Sequence, residues 1–244
     1  MIALPMFSAF EAHVINVTAQ IENALSVDAT PINFGTVFPQ EYLVKSLDVA
    51  LSQSFQTENR VDDVQYIIRQ KPKCGWTSAD GQTLYGGTKS GHVDNRGNIT
   101  CPESDQNPSA DTSAVYGQLP LLCDYLSKHK SPSDQSDNGD TELDAFHRIG
   151  SIDDNGTQEN FADDKWVWND VVGKLMKSNG DIIDSWVIDL AVPCFGGNCA
   201  QDWANFVASH NNAAVAADYV QDLANEHKVF GCDLWVEVTG VSEK

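Results

Sequence analysis

The chain has 244 residues, 41% of them hydrophobic, which is enough for a real core and too many for global disorder. Its 35 acidic against 15 basic residues give a net charge of −20. Such a surface repels nucleic-acid phosphates and anionic lipid headgroups and attracts divalent cations, and no stretch approaches the roughly 18–20 apolar residues of a membrane-spanning helix.

Residues 1–9 have two readings. One is a signal-peptide remnant ending at Ser8-Ala9, which is favoured; the other is an apolar segment kept in the mature chain. Beyond them, a single domain is expected over 10–244. Val14 leads into an alternation in which Ile15, Val17, Ala19 and Ile21 face one way and Asn16, Thr18, Gln20 and Glu22 the other, the period of a half-buried strand. Leu47, Val49 and Leu51 repeat that period within a second strand over 43–55. Between the two, Phe34-Gly35 and Phe38-Pro39 mark a corner. Val64, Tyr66 and Ile68 predict another strand.

Residues 74–118 are rich in Gly, Asp, Asn, Ser and Thr and read as loops and short hairpins, with turns at Asp80-Gly81 and Arg96-Gly97. Residues 120–130 suggest one or two helical turns. The stretch 131–164 carries ten acidic residues against the single Arg148 and is expected to be an exposed, dispensable loop insertion. Within it, Asp134, Ser136, Asn138, Asp140 and Glu142 alternate around Gly139, the spacing with which a calcium loop gathers hard oxygen ligands; Ala145 stands where an EF-hand would have its last glutamate. No other cofactor is expected.

Trp166 and Trp168 are two apart, on one side of a strand. Trp186, Ile188, Leu190 and Val192 alternate with Val187, Asp189 and Ala191. Two amphipathic helices follow in a helical excursion over 201–225, one on Trp203, Phe206, Val207 and His210, the other on Ala216, Tyr219, Val220 and Leu223. A closing strand alternates Cys232, Leu234, Val236 and Val238 with Asp233, Trp235 and Glu237. Trp235 thus falls on the outer face, where it is expected to pack under the helical excursion rather than to stack on a sugar or a second subunit.

Six cysteines, Cys74, Cys101, Cys123, Cys194, Cys199 and Cys232, lack zinc-finger spacing. In an oxidising compartment they allow 15 connectivities, of which Cys74–Cys101, Cys123–Cys232 and Cys194–Cys199 is chosen; in a cytosolic protein they would be buried thiols. The six histidines include no His-Glu-x-x-His and no two within helical reach. No nucleophile elbow, P-loop or dinucleotide fingerprint is present.

The order of strand, Phe-Gly and Phe-Pro corner, and alternating strand over 12–55 resembles the opening of the TasA/camelysin family of secreted surface proteins. The cysteine-bearing segments 193–203 and 231–240 are similar to a divergent branch of that family. Resemblance spans about 12–70 and 185–242. It implies a mostly β fold, an antiparallel β-sandwich of jelly-roll type with a short helical insertion. It also implies a secreted structural subunit of an extracellular fibre, biofilm matrix or cell-surface layer, and a non-enzyme. Its partners would be itself or other surface proteins. The segment Val14, Ile15, Val17, Ala19 and Ile21 is the natural donor strand to a neighbour. Two alternatives stand beside this: a calcium-stabilised adhesin or carbohydrate-binding module, and a camelysin-like secreted metalloprotease.

Overall fold

The computed structural model describes residues 20–28, 30–134, 139–153 and 164–243. In chain order the elements are β1 (Leu25–Val27), β2 (Tyr42–Leu51), α1 (Gln53–Thr57), β3 (Val61–Thr77), β4 (Leu84–Ser90), β5 (His92–Val93), β6 (Ile99–Thr100), β7 (Val115–Gln118), β8 (His129–Lys130), β9 (Gly150–Asp153), β10 (Lys165–Trp168), β11 (Val171–Met176), β12 (Ile183–Ala191), α2 (Trp203–His210) and β13 (Cys232–Glu243). The protein is mostly β, and every strand pairing is antiparallel. None of the described helices is long and apolar enough to cross a membrane.

Two sheets form the sandwich-like body. The first runs β1-β2-β12-β8, and the second is built on β3, with β11 and β13 on either side of its first half. Strand alternation turns Leu47, Val49, Leu51, Trp186, Ile188 and Leu190 of the first sheet inward. Val64, Tyr66, Ile68, Val171 and Leu175 of the second do the same, and all are buried in one cluster. Each aliphatic side chain so buried is worth about 1.5–3 kcal/mol. These pairings establish antiparallel facing sheets; they do not by themselves trace a jelly roll.

β3 is 17 residues long because it serves two sets of neighbours. β11 pairs with it only as far as Ile68, while β4 and β7 begin at Lys73 and Cys74. Pro72 lies in that handover, where its missing N–H costs little on the β11/β4 side. The expected turns form as anticipated: Gly81 and Gly97 adopt φ of +76° and +79° and close the β3–β4 and β5–β6 connections.

Several expectations are corrected. Alternation was expected to carry the second strand to Phe55, but Ser52 ends it: the Ser52 hydroxyl accepts from the Phe55 N–H at 3.1 Å and starts α1. The second helix of the excursion is two 3-10 turns, 216–219 and 223–225, separated by extended residues at Val220 and Asp222. The largest correction concerns 131–164. Its described part is not an exposed insertion, because Ala145, Phe146, His147, Ile149 and Gly150 are buried. The Phe146 ring meets Tyr125, Trp203, Phe206 and Tyr219 edge-on at centroid distances of 5.6–6.0 Å. The segment therefore glues α2 to the sandwich.

Candidate functional site

Of the donor-strand residues, Val14, Ile15, Val17 and Ala19 lie outside the described residues. Ile21 is 94% exposed and precedes the first strand instead of belonging to it, since pairing begins at Leu25. β1 covers only residues 49–51 of β2. From Tyr42 to Asp48, β2 pairs with β12 on one side and with no described strand on the other. Tyr42 and Val44 are exposed along this stretch. β13 is likewise an outer strand, interrupted by register shifts after Val238 and Val241 and flanked by Asp233 and Glu237, devices that discourage edge pairing. The β2 margin carries no such bulge.

Three members of the calcium-loop pattern, Asp134, Asp140 and Glu142, lie among the described residues. Ser136 and Asn138 lie outside the described residues. Asp134 Oδ2 accepts from the Ser185 N–H at 3.0 Å, Asp140 Oδ1 from the Lys174 N–H at 2.8 Å, and Glu142 Oε1 from the Lys130 N–H at 2.9 Å. The carboxylates thus pin this segment to β12, β11 and β8. Asp140 Oδ2 also lies 2.5 Å from Lys130 Nζ. Among the described residues no three His, Cys, Asp or Glu side chains converge to hold a metal ion.

A cleft of about 490 Å³ opens beside β9 and β10, lined by Arg96, Asp124, Arg148, Trp166 and Tyr219 among others. Burial pushes the Asp124 carboxyl up to about 7, opposed by the Ile149 N–H and by Arg148, and its Oδ1 has no hydrogen-bond partner. Trp166 does not offer its ring as a sugar platform in a simple way. A Cβ on Gly150 would meet the indole at 2.6 Å, so a glycine is required there for the ring to lie against β9. Trp166 and Trp168 do share a side, packed edge to face at 5.9 Å.

Buried polar groups that the sequence did not flag sit inside the sandwich. Tyr66 donates to Asp184 Oδ2 and accepts from the Trp186 indole N–H at 2.8 Å, a chain crossing between the sheets. Tyr66 can lie over β11 because residue 173 is glycine; a Cβ there would fall 2.2 Å from the phenol ring. Burial pushes the Asp184 carboxyl up to about 7 despite the Tyr66 bond. His147 is kept neutral, down to about 3, by burial and then by Lys128. Its Nδ1 lies 2.8 Å from the Asp144 carbonyl, so Nδ1 carries the proton and Nε2 accepts. The Gln70 atom placed 2.6 Å from His147 Nε2 is Oε1, a second acceptor, while Gln70 Nε2 has no partner; turning the amide over presents its NH2 to His147 Nε2 and satisfies both. Lys128 is fully buried and lowered to about 7 by desolvation, against a smaller opposing pull from Asp170.

Of the other described histidines, His129 faces Glu142 and Asp144, and His210 closes α2 against Tyr42 and Phe206. Trp235 does not pack under the helical excursion. Its ring lies on outer β13 with Lys71 Nζ 3.3 Å from the centroid, and its indole N–H donates to Ser90 Oγ at 2.9 Å. The cysteines form three disulfides, Cys74–Cys101, Cys123–Cys232 and Cys194–Cys199, the pairing chosen from the sequence.

The comparisons with known proteins come back empty. No family model, curated protein or solved structure matches the chain. Function must be read from the molecule itself.

Proposed function

We propose that this protein is a secreted structural subunit of an extracellular fibre, matrix or surface layer, assembled by strand addition, as the family resemblance implies. The observation that carries the reading is the β2 margin. The chain's own N-terminal side already adds a strand to that ladder at residues 49–51, and from Tyr42 to Asp48 the side of β2 away from β12 has no described strand. A neighbour's segment containing Val14, Ile15, Val17 and Ala19 supplies backbone groups to that edge and alternate apolar side chains to the surface beside Val44. Three disulfides suit an oxidising, extracellular setting. The acidic surface keeps free subunits apart until a specific contact forms.

Electron microscopy and sedimentation of the purified chain test this. Concentration-dependent filaments are expected. Deleting residues 1–18 should leave a folded monomer, and a peptide spanning 10–22 should bind it and raise its melting temperature by mass action. Val44→Lys, which places a charge on the accepting edge, should weaken that binding while keeping the fold. Monomers at every concentration, or filaments unchanged by the deletion, would overturn the proposal.

A further inference from the structure

The cleft beside β9 and β10 gathers stretches of chain that are distant in sequence. Arg96 comes from the turn between β5 and β6, Asp124 from the 3-10 turn 123–125, Arg148 from just before β9, Trp166 from β10, and Asp218 from the 3-10 turn 216–219. The Cys123–Cys232 disulfide and a small second core of Val93, Cys123 and Ile149 hold these walls in place. The volume of about 490 Å³ falls within the roughly 300–1,000 Å³ of small-molecule sites.

Polar groups in this cleft are left without partners. Of the chain's four arginines, Arg60 pairs with Glu58 and Arg69 with Asp170. The guanidinium groups of Arg96 and Arg148, both exposed, have no hydrogen-bond or ion-pair partner among the described residues. Asp124 Oδ1 and Trp166 Nε1 are buried and likewise unpartnered. Gly97 and Gly150 close on the indole and hold it as it lies: a Cβ at these positions would fall 3.0 Å and 2.6 Å from the ring. Buried polar groups are nearly always hydrogen-bonded, so two unpaired ones lining one cleft, with two free cations beside them, call for a ligand that completes them.

The ligand's chemistry follows from those groups. Guanidinium forks match a planar carboxylate. Two arginines against the Asp218 carboxylate leave one positive charge when Asp124 is neutral, which suits a single carboxylate better than a doubly charged phosphate. Burial pushes Asp124 up to about 7, which keeps the neutral form populated. The buried groups ask for a different partner. The indole N–H only donates, while a protonated carboxyl donates and accepts, so hydroxyls satisfy both. Ile99 and Ile152 line the cleft as an apolar wall for the C–H bonds of a ring. A hexuronic acid combines these three features.

We propose that the cleft binds one hexuronate residue of an acidic glycan, with its carboxylate on Arg96 and Arg148 and its hydroxyls on Trp166 and Asp124. A run of consecutive uronates is repelled by a chain of net charge −20, so the ligand is a uronate set among neutral sugars. The site would fasten the protein to a polysaccharide, and it is independent of whether copies of the chain add strands to one another.

Calorimetric titration and NMR of the full chain with glucuronate test this. Saturable one-to-one binding is expected, with the Trp166 indole N–H resonance, identified by its loss in Trp166→Phe, shifting along the same curve. Glucose and the methyl ester of glucuronate, which lack the charge, should bind at least about tenfold more weakly, as the loss of a charge-assisted contact implies. N-acetylglycine and inorganic phosphate, which lack the hydroxyl-bearing ring, should also bind more weakly. Arg96→Gln and Arg148→Gln should each weaken glucuronate binding about tenfold. Both positions are exposed, so these variants keep the fold and decide the question even where Trp166→Phe loses stability. No saturable binding in the millimolar range, phosphate or N-acetylglycine bound as tightly as glucuronate, or an affinity indifferent to both arginine variants would overturn the proposal.

Discussion

The strand β3 and the segment 139–150 are both central to the sandwich, yet only one of them looks central in the sequence. Val64, Tyr66 and Ile68 alternate with Gln65, Ile67 and Arg69, and the buried face follows directly from that period. The segment 139–150 holds Asp140, Glu142 and Asp144 within a stretch of strong negative charge, and still Phe146 is 1% exposed. Asp140 and Glu142 accept backbone N–H groups of β11 and β8 while Asp144 stays exposed, so the chain that follows can dip into the core. Acidic composition describes a segment's average; burial is decided by where individual side chains point.

The largest test of that contrast replaces Phe146. Phe146→Ala should cost about 3–5 kcal/mol, comparable to truncating an aromatic in any sheet core. Urea unfolding would show it as a lower midpoint at unchanged slope, and the loss should exceed that of an exposed apolar residue such as Val115 on β7 several-fold. Substituting Gly and Ser for the whole of 139–150 should abolish cooperative unfolding, because α2 would lose the ring it packs on. Stability unchanged by either alteration would return the segment to the status of a solvated loop.

What the sequence disclosed follows the same division. Period-two strands at 43–51 and 64–68 were legible because one face is buried and the other wetter, whereas in 186–192 the alternation showed in the residue types although Asp189 and Ala191 are buried too. The turns at Gly81 and Gly97 were legible because glycine is the residue that takes positive φ without strain. The buried polar pairs were not. Tyr66 and Asp184 are 118 residues apart, and nothing local in either strand announces the other. Lys130 and Asp140 are close in sequence, but the pattern there invited a cation-loop reading, since alternating oxygens look alike whether they face a metal or backbone N–H donors. Asp124, in a short apolar stretch, gave no sign that its carboxyl would be desolvated.

Asp124 sharpens the contrast at intermediate size, because it is an acid on the core side of the boundary. Its folded value, near 7, lies above the ordinary 3.8, so the fold favours the protonated form. The stabilisation this provides is complete below the unfolded value and is lost as pH rises from about 4 through about 7. Asp124→Asn cannot ionise and should escape that loss. Relative to the wild type the variant should gain on the order of 2 kcal/mol between pH 4 and pH 8. Parallel denaturation curves at several pH values measure it; a constant difference between the two proteins would show that Asp124 titrates normally.

The smallest effect is expected at Asp144, two residues before Phe146 and on the other side of the same boundary. Its side chain is 53% exposed, and its contact with His129 Nε2 is 3.5 Å long. Its carbonyl, not its carboxylate, accepts from His147. Asp144→Asn therefore removes a solvated charge and keeps the backbone acceptor, so stability should change by less than about 0.5 kcal/mol at neutral pH. The sign should lean towards stabilisation at low salt, since the chain already carries −20 and one acid fewer relieves its self-repulsion. Added salt should erase the difference. A loss as large as that of Phe146→Ala would mean that the carboxylates of this segment, and not its aromatic ring, hold it in the core.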